Sequence, residues 1–250
     1  MRDILAGLIV FVCLLAASLG SRMLYERLPE RHRVGETETV IRLFGSFFVV
    51  MTSLVISLML NQAKNTLEAA DKSLHAYAVQ LILFDRTMRY YGAEETAPAR
   101  GALLAYTQQA ARHMGQSDPA ISSHTAESLL RDTINGIDAL KPATPEQVAL
   151  KQELEHRFSS IFEMRWSLVE QAEATVPTAL IVMVTLWLIL IFASYGFRAP
   201  KNAFVATSFV VSSLLIAGVI YMVLDMDMPF DGLIQVSPAP LDHVVAELSR

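Results

Sequence analysis

The 250-residue sequence contains one cysteine, Cys13, and few charged side chains. A single cysteine cannot form a disulfide within the chain, and it excludes metal sites built from several cysteines. Charged residues make up 18% of the chain, against about a quarter in average soluble proteins. Hydrophobic residues make up 53%, so a water-soluble fold would leave large apolar patches exposed. We therefore expect lipid to surround much of this protein.

Other absences narrow the functional class. With 10 prolines and 11 glycines, the chain is neither collagen-like nor typical of disorder. Its 20 basic and 25 acidic residues give a net charge of −5, which argues against nucleic acid as a partner. No glycine-rich phosphate loop, G-x-S-x-G motif or histidine–cysteine pairing is present. We expect no enzyme activity and no bound cofactor.

The hydrophobic residues are clustered in four blocks that lack Asp, Glu, Lys, Arg and His, at residues 4–20, 43–60, 176–197 and 203–224. A bilayer core about 30 Å thick needs roughly 20 helical residues. The pattern predicts four transmembrane helices. The first block also has a small-x-small site at residues 18–20, as a cleaved signal peptide would, but its flank is barely basic.

The intervening residues 61–175 hold 11 of the 20 basic and 15 of the 25 acidic residues, which is typical of a soluble region. Apolar residues there recur in heptads, at Leu67, Leu74, Leu81 and Met88, and at Ala70, Tyr77, Phe84 and Tyr91. This predicts a coiled-coil-like seam. Because residues 46–91 contain no Pro or Gly, we expect the second membrane helix to continue unbroken until Gly92.

Three further helices are predicted in this region, over about 97–114, 124–140 and 145–175. Thr96 is expected to cap the first, and Thr144 with Gln147 forms a capping box for the last.

The chain is thus predicted to divide into four parts. Residues 1–60 hold membrane helices 1 and 2, residues 61–175 form the soluble helical region, residues 176–224 hold membrane helices 3 and 4, and residues 225–250 form an acidic turn and a short helix. The predicted fold is an all-α integral membrane protein, with a helical bundle inserted between membrane helices 2 and 3 and long helices continuous with both.

The second block carries a polar stripe. Ser46, Ser53, Ser57 and Asn61 are spaced by 7, 4 and 4 residues, so they lie close to one helix face. Two interpretations remain open: a pore lining, or small residues that allow close helix packing. Phe48 and Leu58 are assigned to the other face. Since no ionisable side chain lies within the four blocks, ion-coupled transport is disfavoured.

An acidic run follows the fourth block. Asp225, Asp227 and Asp231 are candidate ligands for a cation at the membrane edge. A turn explains the same run more simply, because Pro229 fixes φ and Gly232 lets the chain reverse. A short C-terminal helix is expected after Ser237.

Two acid–histidine pairs have helical spacing, and each falls short of a metal site. Glu153 and His156 are three residues apart, and Asp71 and His75 are four apart. Di-iron bundles need two Glu-x-x-His motifs, and the sequence has one. Solvated helix faces often carry such pairs, so we predict no metal.

The basic residues near the membrane blocks bear on orientation. The short loops carry seven, namely Arg22, Arg27, Arg31, Arg33, Arg42, Arg198 and Lys201. The opposite side carries four, namely Arg2, Lys64, Lys72 and Arg165. The count slightly favours cytoplasmic short loops and an extracytoplasmic helical region. The expected location is the inner (plasma) membrane of the cell.

Several motifs resemble the bestrophin-like domain family of bacterial membrane proteins. They are DMPFDGLIQVS at residues 227–237, FASYGFRAPKNA at 192–203, LPERH at 28–32, LNQAK at 60–64, LFDRT at 83–87 and YG at 91–92. The name of the family implies similarity to bestrophins, which are pentameric anion channels with four membrane helices and a helical cytosolic domain. The resemblance would make the second helix the pore helix and would place the helical region inside the cell.

These observations lead to two hypotheses. The first is a homo-oligomeric channel for small ions, anions favoured, lined by Ser46, Ser53, Ser57 and Asn61. The second is a non-conducting sensor or scaffold, in which the heptad seam is exposed and recruits a partner helix. No residue matches the bestrophin pore or calcium clasp, so no functional residue is transferred from that resemblance.

Overall fold

The computed structural model describes residues 2–27, 35–113, 124–173, 176–197, 199–200 and 202–250. Within these residues the chain is helical and contains no strand. The helices are α1 (Arg2–Arg27), α2 (Gly35–Tyr91), α3 (Ala97–His113), α4 (His124–Asp138), α5 (Pro145–Gln171), α6 (Thr178–Gly196), α7 (Ala203–Met226) and α8 (Ala239–Leu248). The predicted all-α fold is confirmed.

Four helices are long and apolar enough to cross a bilayer. The spans lie in α1 at Ile4–Met23, in α2 within Leu43–Tyr91, in α6 at Thr178–Gly196 and in α7 at Ala203–Met226. These are the four helices that the uncharged blocks predict. The chain is therefore a multi-pass membrane protein.

Helix α2 is unbroken, as the absence of Pro and Gly predicts. It has 57 residues, which corresponds to a length of about 85 Å. It ends at Tyr91, where the Thr96 hydroxyl donates to the carbonyl oxygens of Met88 (3.1 Å) and Gly92 (2.8 Å). The Thr96 hydroxyl is thus bonded to the end of α2, whereas its position in the sequence predicted a cap at the start of α3.

The second long helix differs from the prediction. Helix α5 ends at Gln171 and α6 begins at Thr178 after Pro177, so the long helix is not continuous with the third membrane helix. The start of α5 follows the sequence closely: the Thr144 hydroxyl accepts from the Gln147 amide at 3.2 Å. The Gln147 side chain accepts from the Ala143 amide at 2.8 Å, one residue earlier than in an ideal capping box.

The chain divides into two compact units. The membrane unit comprises Met1–Asn65 and Thr175–Asp227, and the polar unit comprises Thr66–Ala174 and Met228–Arg250. Helix α2 contributes residues to both units. Each unit has its own mode of packing.

Helices of the membrane unit approach each other through small residues. A Cβ atom added at Gly196 of α6 would overlap the carbonyl oxygen of Ser18 in α1. One added at Gly7 of α1 would lie 3.3 Å from the Tyr221 Cβ in α7. Such near contact of backbones is the common packing mode in lipid, where no hydrophobic force drives helices together.

The polar unit is built around large apolar side chains. Leu74, Tyr77, Leu81, Phe84 and Met88 are fully buried in one core. The Phe84 ring lies 6.1 Å from that of Phe158 in α5. The predicted heptad seam is therefore this unit's own core, and it is not exposed to recruit a partner helix.

The C-terminal segment turns as predicted. Gly232 has φ of 103°, a conformation that an L-residue seldom adopts. The Val236 amide then donates to the carbonyl oxygen of Pro229 at 2.8 Å, and the Ser237 hydroxyl accepts from the Ala239 amide at the start of α8. Helix α8 buries Leu241, among other residues, in the core of the polar unit.

Candidate functional site

The polar stripe lies on the exposed side of α2. Ser46, Ser53, Ser57 and Asn61 are all exposed in the single subunit. At 100° per residue they fall within about 80° of the helix circumference. The sequence spacing therefore places them correctly on one face.

The opposite side of α2 packs against the rest of the membrane unit. Thr52, Met59 and Ala63 are buried there. A Cβ atom at Gly45 would lie 3.0 Å from the Ser194 hydroxyl of α6, so the two helices nearly touch at this level. Since the stripe lies away from this side, it does not serve close packing inside the subunit; the packing interpretation would need a second copy.

The polar groups of the stripe differ in their hydrogen bonding. The Ser57 hydroxyl donates to the carbonyl oxygen of Ser53 at 2.8 Å, which satisfies it within its own helix. Within the described residues, the Asn61 side-chain amide forms no hydrogen bond. An exposed amide in this state prefers water, or a polar partner, to lipid.

Three apolar side chains that were not predicted as functional candidates share the exposed side of α2. Val50, Leu54 and Leu58 are 66%, 64% and 64% exposed. Their spacing of four residues was a visible signal. Leu58 was assigned to the other face together with Phe48; that assignment holds for Phe48, whose ring lies 6.4 Å from that of Trp187, but is wrong for Leu58.

A cavity of about 560 Å³ opens between α2, α6 and α7 within the membrane unit. Ser53 and Ser57 line it, together with apolar residues such as Phe192 and Phe209. The stripe and the cavity therefore share two residues.

The three carboxylates of the acidic run accept hydrogen bonds from three different donors. The buried Asp225 accepts from the Tyr221 hydroxyl at 3.0 Å, and the buried Asp227 accepts from the Val176 amide at 2.8 Å. Asp231 accepts from the Gly232 amide at 2.9 Å in the turn. The described residues contain no group of three His, Cys, Asp or Glu that would hold a metal ion. Cation binding at the run stays a sequence prediction.

The two acid–histidine pairs of the polar unit have ordinary structural neighbours. Glu153 forms an ion pair with Arg157 at 2.7 Å. The Nδ1 atom of His75 lies 3.0 Å from the carbonyl oxygen of Asp71, one turn earlier on the same helix. Neither pair belongs to a larger cluster among the described residues.

The polar unit contains an ionic cluster around the buried Asp85 that was not predicted from the sequence. Asp85 is 1% exposed and accepts from Arg89 and Arg100, each at 2.7 Å. The Arg89 guanidinium also donates to the carbonyl oxygen of Glu247 in α8 at 3.2 Å. The i, i+4 spacing of Asp85 and Arg89 was visible, but Arg100 comes from another helix.

Two tyrosines meet in the same unit. The hydroxyl oxygens of Tyr77 and Tyr106 are 2.6 Å apart and fully buried. Burial raises the pKa of the Tyr106 phenol above its ordinary value, and the hydrogen bond with Tyr77 and the positive charge of Arg165 lower it in part. The pair is thus neutral at physiological pH and is part of the core.

Comparison with known proteins decides the family. The profile of the bestrophin-like domain matches residues 12–241. The chain belongs to the bestrophin-like family. This confirms the resemblance that the sequence motifs indicated, and membership of the family indicates a membrane ion channel.

Solved structures with this fold include bacterial bestrophin homologues from Klebsiella pneumoniae. One point variant has a TM-score of 0.68 at 14% identity, with 97% of each chain covered. Another has a TM-score of 0.65 at 15% identity, covering 99% of this chain and 98% of the other. A structure described as a membrane protein gives 0.65 at 16% identity, covering 98% and 96%. At these identities the likeness establishes the fold. No curated protein matches the sequence.

Proposed function

We propose that this bestrophin-like protein is a homo-oligomeric channel that conducts small anions through a pore lined by α2. The observation that carries the proposal is the exposed stripe of Ser46, Ser53, Ser57 and Asn61 on a membrane-spanning helix. Polar groups that face lipid are unfavourable, so this side of α2 is expected to face water or a second copy.

Assembly follows from the geometry of one subunit. A single α2 cannot enclose a pathway, whereas several copies around a symmetry axis would bring their exposed sides together. The family supports such an arrangement. We expect the purified protein to have the mass of a closed ring of subunits.

The chemistry of the stripe favours anions. The Asn61 side-chain amide supplies hydrogen-bond donors, and residues 43–60 contain no carboxylate that would repel an anion. The pathway is passive, because the same residues include no ionisable group for proton coupling.

Val50, Leu54 and Leu58 would form the narrow part of the same pathway. Apolar constrictions in pores impede ions because water leaves them readily. In this arrangement the polar stripe admits the ion, and the apolar side chains limit its passage.

Chloride flux into liposomes tests the proposal. Leu54→Ser should raise flux several-fold because it wets the constriction, and Ser53→Leu should lower it. The matched controls on α7 are Leu215→Ser and Ser208→Leu. The Leu215 side chain is 66% exposed, and the Ser208 hydroxyl donates to the carbonyl oxygen of Phe204 in its own helix at 2.9 Å. Neither control should change flux.

Two outcomes would contradict the proposal. Folded protein that gives no flux above empty vesicles, in several salts and at several pH values, would exclude the channel. A monomeric mass in detergent and in the bilayer would leave no enclosed pathway, and would favour a sensor or scaffold.

We also propose a location in the bacterial inner (plasma) membrane with the polar unit in the cytoplasm. The family implies this orientation, and the charge count that favours the reverse has a margin of seven to four. Several of the counted residues, among them Arg31, Arg33, Arg198 and Lys201, lie outside the described residues. Labelling of a cysteine at the exposed Gln152, in a Cys13→Ser background, should require a membrane-permeant reagent.

A further inference from the structure

The cavity between α2, α6 and α7 contains a buried hydroxyl. Thr52 is 3% exposed and lines the cavity, and its Oγ1 atom has no hydrogen-bond partner among the described residues. Hydroxyls elsewhere in the membrane helices commonly bond to their own helix, as Thr185 does to the carbonyl oxygen of Ile181 at 2.7 Å. A buried polar group without a partner is costly, so Thr52 calls for a ligand atom.

The remaining walls define what that ligand is like. Leu188, Phe192 and Phe209 are among the apolar residues that form most of the lining. The polar groups of the lining are hydroxyls, and none of its residues is charged. The volume of about 560 Å³ falls within the range of small-molecule sites, about 300–1,000 Å³. A charged headgroup has no counter-charge here, so the occupant is neutral.

The depth of Thr52 excludes an ordinary phospholipid as the partner of its hydroxyl. Thr52 is near the middle of the uncharged block at residues 43–60, about half a membrane thickness from either end. At that depth a phospholipid offers only acyl chain, which neither donates nor accepts a hydrogen bond. An oxygen atom carried into the bilayer core on an apolar body would supply the missing hydrogen-bond partner.

We propose that this cavity binds a neutral lipophilic alcohol or ketone, whose oxygen forms a hydrogen bond with the Thr52 hydroxyl. Because Ser53 and Ser57 belong to both the cavity and the stripe, occupancy changes ion flux. This second effect rests on the proposed function, whereas binding does not.

Photolabelling of the full-length protein in lipid nanodiscs tests binding. The probe is decanol carrying an aliphatic diazirine, and labelled peptides are identified by mass spectrometry. We expect labels within residues 188–195 and 209–219, and we expect competition by decanol but not by decane. Thr52→Val keeps the shape of the side chain and should weaken probe binding about fivefold. Thr185→Val is the matched control and should leave binding unchanged.

Ser212→Phe provides a second variant, because this exposed residue lines the cavity and an added ring would fill it. Labelling of the cavity should then be lost while the protein remains folded. Competition by decane as strong as by decanol would overturn the proposal in favour of an acyl chain. Labelling that appears only in dissociated subunits would overturn the proposal, because it would mean that a second copy of the chain fills the cavity in the oligomer.

Ion flux is measured separately on the same preparations. Decanol should change chloride flux in the wild type and have a smaller effect in Thr52→Val. Labels spread over the lipid-facing surface, in amounts unchanged by Thr52→Val, would contradict the binding site even if decanol changes chloride flux. Absence of flux under all conditions would contradict the channel, whereas specific labelling would still support the binding site.

Discussion

The membrane unit and the polar unit use opposite means of packing helices. In the membrane unit, backbones meet at glycine and serine, as at Gly196 against Ser18. In the polar unit, large side chains such as Leu81 and Phe84 fill the space between helices. Water drives apolar side chains together, but lipid does not, so helices in lipid gain most from close contact of their backbones.

Asp85 in the polar unit and Thr52 in the membrane unit are both buried, and their polar groups have different surroundings. In the polar unit, Asp85 is bonded to two arginines, so its charge is compensated. In the membrane unit, Thr52 is buried without a hydrogen bond among the described residues. The charge of Asp85 is thus compensated by side chains of its own unit, whereas the Thr52 hydroxyl is left for a further hydrogen-bond partner.

The largest effect is expected where the membrane unit has no space. Gly196→Ala places a methyl group against the Ser18 backbone, which cannot move aside as a side chain could. We expect the free energy of unfolding to fall by about 3 kcal/mol, with loss of monodisperse protein after extraction. Gly218→Ala is the control, since nothing lies within 4 Å of the added atom. Equal melting temperatures of the two variants would contradict the close backbone contact of α1 and α6 at Gly196.

The second prediction tests charge compensation in the polar unit. Asp85→Asn leaves Arg89 and Arg100 partly buried beside a neutral group, and we expect a loss of about 2 kcal/mol in stability. Glu127→Gln, which breaks an exposed ion pair with Arg131, should leave the melting temperature almost unchanged. Thermal unfolding followed by circular dichroism measures both. A similar shift in the two variants would mean that burial does not strengthen the Asp85 cluster.

The smallest effect is a pH dependence. Because burial raises the pKa of Tyr106, the folded protein holds this phenolic proton more firmly than the unfolded chain. Its contribution to stability is full below the ordinary tyrosine pKa of about 10 and is lost as the pH rises beyond it. Melting temperatures from pH 8 to 11 should fall less steeply in Tyr106→Phe than in the wild type. Tyr90→Phe, at an 81% exposed position, should follow the wild type; matching profiles for all three proteins would refute the idea.

Much of the fold was predictable from the sequence. Uncharged blocks marked the membrane helices, and the heptads of Leu74 and Tyr77 marked the core of the polar unit. Local rules also located the capping residue Thr144 and the turn at Gly232. The break between α5 and α6 was the main error in helix boundaries, because the apolar period continues past Gln171 even though the helix ends there.

Less of the candidate site was predictable. Helical periodicity placed Ser46, Ser53, Ser57 and Asn61 on one face, but it cannot say which face is covered by neighbouring helices. The exposure of Val50 and Leu54, the burial of Thr52 and the cavity beside it depend on where α6 and α7 lie. The partnership of Asp85 with Arg100 likewise joins two helices.

The sequence alone determined the class of protein, the number of membrane helices, the continuity of α2 and the family. These properties follow from composition, period and local motifs, which act over a few turns of chain. The tertiary structure decided which side of α2 is exposed, that the heptad seam is internal, and where a hydroxyl is buried beside a cavity. Those outcomes depend on contacts between residues that are distant in the chain, and no local pattern encodes them.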